Sequence, residues 1–76
     1  MNLQRIPDRN YISTLFACFA EVKDNSLKEQ ASVTVNSLVL AGNKPVKVED
    51  RTTGVLVGFE VRHEDEILFS KYRKQI

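Results

Sequence analysis

Residues 26–61, SLKEQASVTVNSLVLAGNKPVKVEDRTTGVLVGFEV, decide the fold, because they hold a helix start, a helix stop and a turn in the order of a helix followed by a β-hairpin. Ser26 and Glu29 match the S-x-x-E capping box, in which both side chains satisfy backbone N–H groups orphaned at a helix start. Asp24 and Asn25 offer alternative caps. Leu27, Ala31, Thr34, Val35, Leu38 and Ala41 recur at the three- and four-residue spacings that line one helical face. Gly42 ends the run, since glycine enters the left-handed region just past a helix without a Cβ clash, and Pro45 follows where a helix cannot continue. Ala31, Val33, Val35, Val39 and Ala41 also fit a period of two, but Ser37 breaks that alternation, and the stop and start signals lie about four turns apart. A helix is the expectation, with Val33 and Leu40 on its far side.

Beyond Pro45 the period changes to two. Val46 and Val48 alternate with Lys47 and Glu49, and Val55, Val57, Phe59 and Val61 alternate with Leu56, Gly58, Glu60 and Arg62, as two strands sharing one buried face would. Asp50-Arg51-Thr52-Thr53-Gly54 connects them, with Asp and Thr able to bond their own backbone and Gly54 supplying a positive φ.

Upstream, Tyr11 to Val22 is apolar on both sides if extended, the pattern of a strand buried on both faces. Ile12, Leu15, Phe16, Phe19 and Ala20 also share a helical spacing, with Pro7 and Asp8 placed like a helix start. Aromatic enrichment favours the strand, which also gives the later helix a sheet to cover. The tail divides between a short helix, in which Glu64, Asp65 and Glu66 precede Lys71, Arg73 and Lys74 in the order that suits a helix dipole, and an edge strand entered by a turn at His63–Glu66. The expectation is therefore an α+β domain over residues 11–76, a β-α-β-β core with one helix packed on an antiparallel sheet and a C-terminal short helix or edge strand. Residues 1–10, polar and proline-bearing, are expected to be loosely held.

At 76 residues the chain has room for one small core. It contains no apolar run long enough to span a bilayer and no secretory layout at its start, so a cytoplasmic protein is expected. Cys18, the single cysteine, sits among Phe16, Ala17 and Phe19 and reads as a small buried hydrophobe rather than a nucleophile. The net charge of +1 gives no global attraction to nucleic acid or membrane.

His63 with Glu64, Asp65 and Glu66 contains the residue types of a metal or acid–base site, but the spacing matches no ligand loop and a solvated turn explains it. No metal site is assigned. Gly54 and Gly58 bracket a strand, whereas a phosphate cradle places glycines between a strand and a helix, so no nucleotide cofactor is expected. With one histidine and no local nucleophile, the chain is expected to bind rather than catalyse. The partner expected is another protein, or a second copy in a homodimer, reached through the uncovered sheet face, a strand edge or the far side of the helix, with Val33, Leu40 and Leu56 as the apolar residues left outside the core. An inhibitor or adaptor encoded on a mobile element is the fold-level analogy. The alternative is weak nucleic-acid binding by Arg62, Lys71, Tyr72, Arg73 and Lys74, joined by Arg5 and Arg9, with cations on phosphates and the ring on a base.

Overall fold

The computed structural model describes residues 2–73, which form a compact α+β arrangement of two helices on a four-stranded antiparallel sheet. The elements run β1 (Leu3–Pro7), α1 (Tyr11–Cys18), α2 (Asn25–Leu40), β2 (Lys44–Asp50), β3 (Leu56–His63) and β4 (Glu66–Tyr72). Strand order in the sheet follows chain order, β1-β2-β3-β4. The expected β-α-β-β order is thus corrected: β1 precedes a pair of helices, and three strands follow.

The α2 helix forms where its signals placed it, but its cap differs. Asp24, not the Ser26–Glu29 pair, occupies the N-cap, and its Oδ1 accepts from the Ser26 backbone N–H at 2.9 Å. At the other end Gly42 has φ of 98°, its N–H bonds the Val39 carbonyl, and the Asn43 N–H reaches back to Leu38, closing a Schellman motif. Ala31 and Val35 are buried and Leu38 is half-buried, while Leu27, Thr34 and Ala41 from the same expected stripe are exposed. The helix therefore meets the core along a narrower seam than its sequence offers.

Residues 11–22 are a correction. Tyr11–Cys18 is helical, not extended, and it directs Leu15, Cys18 and, just past its end, Phe19 into the core. Asp8 Oδ1 accepts from the Asn10 N–H at 2.9 Å in the turn that launches it. The strand that the sheet needs before the helices comes instead from residues 3–7, the segment expected to be loosely held. Their alternation is polar and short, and Pro7 stands at the end of an edge strand, where its missing N–H costs no ladder bond.

The hairpin forms as expected. Asp50 Oδ1 accepts from the backbone N–H groups of Thr52 and Thr53, the Gly54 N–H bonds the Asp50 carbonyl at 2.7 Å, and Gly54 has φ of 74°. The tail resolves as strand: His63 pairs with Glu66 across a turn in which Glu64 takes φ of 56°, and β4 lies beside β3.

One core cluster lies between the helices and the sheet, built from Leu15, Cys18, Phe19, Ala31, Val35, Phe59 and Val61. Phe69 closes it from β4, meeting Phe59 edge-to-face at 6.4 Å. Tyr11 ties the two helices together through its hydroxyl, which donates to Asn36 Oδ1 at 3.0 Å.

Candidate functional site

Both helices cover one face of the sheet, so the other face is open, and register dictates which side chains populate it. Residues paired across antiparallel strands share a face. Phe59 pairs with Lys47 and Val61 with Pro45, so Val46 and Val48 do not join Phe59 and Val61 in one buried face as their alternation suggests. They pair with Glu60 and Gly58 and belong to the open face. Arg5, Val48, Gly58 and Tyr72 make one row across all four strands; Pro7, Val46, Glu60 and Ser70 make the next; Lys44 and Arg62 extend it.

At the centre stands Glu60, fully buried although, among the described residues, no helix or second sheet covers it. Three side chains roof it. Arg5 Nε donates to Glu60 Oε1 at 2.8 Å, Arg62 Nη1 donates to the same oxygen at 2.9 Å, and the Tyr72 hydroxyl donates to Oε2. Burial alone pushes the Glu60 carboxyl up, but the bonds from Arg5, Tyr72 and Arg62 outweigh it and hold the group below the usual carboxylate range. Burial, followed by the bond to Glu60, raises the Tyr72 phenol, and the bond to Glu60 holds the Arg5 guanidinium still more firmly protonated. The cluster is ionised, fully bonded at its anion, and carries one surplus positive charge.

Gly58 makes this roof possible. The Tyr72 ring lies across it: a Cβ at position 58 would stand 2.8 Å from Tyr72 Cε1, inside the closest approach that real Cβ atoms make, and nearer still to Cδ1. Glycine inside a strand marks such a close approach.

A cleft of about 290 Å³ opens beside the cluster, lined by Gly42, Lys44, Val46, Arg62, His63 and Glu64. Lys44 is exposed and stands directly opposite Arg62, a like-charge cross-strand pair.

The nucleic-acid set is split. Arg62 and Tyr72 share the open face, whereas Lys71 turns to the helical side, its Nζ 5.1 Å from the centre of the Phe19 ring, and Arg73 Nη1 donates to the Leu56 carbonyl at 3.4 Å. Lys74 lies outside the described residues. Of the apolar set, Val33 and Leu40 are exposed on α2 at 65% and 88%, while Leu56 is half-buried and packs against the core, so it is not wholly outside it as expected. Sequence reading missed Lys44, Gly58 and Glu60, and named Arg5 only as an addition to the nucleic-acid set. The signal available was Gly58, an interior strand glycine flanked two residues on by a charge.

Among the described residues no three His, Cys, Asp or Glu side chains converge as a metal site would require, and no helix is long and apolar enough to cross a membrane. Compared with known protein families, with curated proteins and with solved structures, the chain matches none.

Proposed function

We propose that this chain is a non-enzymatic binding domain that engages a protein partner through the open face of its sheet. The observation that carries this reading is Glu60, a carboxylate buried beneath Arg5, Arg62 and Tyr72 on the face that, among the described residues, neither helix covers, at the cost of desolvating an ion cluster. Replacing such a cluster with apolar residues is often neutral or stabilising, so stability gives little reason to keep it. What it does supply is a rigid display of two arginines and a tyrosine, the side chains that most often dominate protein interfaces. Exposed Ile67 and Leu68 on the neighbouring edge strand add apolar area.

Nucleic-acid binding is the second reading, favoured by Tyr72 beside Arg5 and Arg62. Among the described residues, two of the three open-face cations are engaged with Glu60 and Lys71 is directed elsewhere, which leaves no continuous cationic track there for a phosphate backbone.

A photo-crosslinking amino acid placed at Ser70, on the open face, and separately at Thr34, on the exposed side of α2, separates these in the cells that make the protein. Protein adducts from position 70 alone are expected. Nucleic-acid adducts at position 70, or protein adducts from position 34 only, would overturn the assignment.

A further inference from the structure

Resting on that reading, we infer that the open face takes an acidic segment of its partner, with carboxylates seated between Lys44 and Arg62 at the mouth of the cleft beside Glu60. Three features of the face converge on an anion. Lys44 and Arg62 are placed directly opposite one another, an arrangement that repels until a negative group enters between them. Arg62 cannot swing away from Lys44, because its Nη1 is held by Glu60 and its Nη2 reaches the Asp65 carbonyl at 3.4 Å. Arg5 is bonded through Nε to the same carboxylate oxygen as Arg62, and its side chain remains 41% exposed. A planar guanidinium fixed at one edge presents its remaining N–H groups in the fork geometry that carboxylates match.

The cleft floor chooses among anions. Val46 adds apolar surface to the cleft lining, and Tyr72 is 40% exposed at the far side of the cluster. An acidic peptide needs only one or two such paired sites together with apolar and aromatic contacts, whereas a nucleic acid needs unneutralised cations repeated along its backbone. The face offers the former.

The test uses the isotope-labelled protein titrated with acetylated pentaglutamate amide and, in parallel, with a thymidine hexanucleotide of the same charge, followed by backbone and arginine side-chain NMR shifts. The expected result is saturable shifts at Lys44, Arg62, Arg5 and Tyr72 with the peptide, weaker ones with the oligonucleotide, and about fivefold or greater loss of peptide affinity in Lys44→Glu. Lys44 is exposed and bonds nothing in the cluster, so that variant folds even where Arg62→Gln does not. Equal or tighter binding of the oligonucleotide, unchanged affinity in Lys44→Glu, or no shifts with either probe would each overturn the inference. Failure here with protein cross-links retained at position 70 would leave the face as a protein interface of other chemistry; loss of both would remove the interface as well.

Discussion

Substituting Gly58→Ala tests whether Tyr72 is held where it is by the absence of a side chain beneath it. The added Cβ stands 2.8 Å from Tyr72 Cε1 and 3.0 Å from Cγ, so the crowding runs along one edge of the ring down to its root, and the ring is expected to turn away about χ1 rather than flex at its tip. That motion breaks the hydroxyl bond to Glu60, an interaction with a charged acceptor worth about 1.5–3 kcal/mol. Against it, alanine in a strand interior recovers about 0.5–1 kcal/mol that glycine forfeits in backbone entropy. The net expectation is a loss of about 1–2 kcal/mol, which for a domain of this size lowers Tm by about 4–8 °C for each kcal/mol. Chemical denaturation of the single variants and the pair closes a double-mutant cycle with Tyr72→Ala. In the Tyr72→Ala background Gly58→Ala should be neutral or stabilising, because nothing remains to be displaced. An equal cost in both backgrounds would show that position 58 is constrained by its own backbone and would refute the reasoning.

Further expectations concern charge, core and caps. The folded-state carboxyl of Glu60 titrates below its unfolded value, so its contribution is present above about pH 4.3 and disappears as pH falls through the folded value; acid unfolding followed by circular dichroism should therefore be shallower in Glu60→Gln. Tyr72 has the opposite sign: its raised phenol stabilises below about pH 10 and ceases to as pH climbs through the folded value, so Tyr72→Phe should flatten the alkaline limb. Leu15→Ala should cost about 2–5 kcal/mol and Leu40→Ala under about 0.5 kcal/mol by urea denaturation, since the first is fully buried and the second 88% exposed. Asp24→Ala should cost about 1 kcal/mol while Glu29→Ala changes little, as only Asp24 caps α2. Cys18 is buried with its thiol pushed up by desolvation, so a thiol reagent should label it only as fast as the protein opens.

The hairpin and α2 were readable because local chemistry specifies both: an aspartate-led loop ending in Gly54, and a glycine at 42 that accepts a left-handed φ. The run from Tyr11 was not, because its apolar residues satisfy two periods at once, and the deciding fact lies elsewhere, in the five residues at 3–7 that already supply the strand. Those residues carry no strand signature of their own. Gln4 and Arg5 are polar, Pro7 reads as a breaker, and only pairing with β2 makes them extended. The open face was illegible for a different reason. Alternation gives two faces per strand but not which face of one matches which of its neighbour, and a slip of one residue exchanges them. Here a bulge at Val48/Glu49 intervenes between the turn and the paired residues, and Val46 falls opposite Glu60 rather than opposite Phe59 or Val61.

Arg5 reaches its carboxylate partner across 55 positions of chain, from a strand that has a neighbour on one side only. The β2–β3–β4 meander is local and can zip early, while the first strand must wait for two helices to form and fold back before it has anywhere to dock. On contact order alone, half of the guanidinium pair is expected to arrive last. A chain whose leading strand has peeled off would present Glu60 without its full roof, so the proposed binding face would exist only in the completed fold.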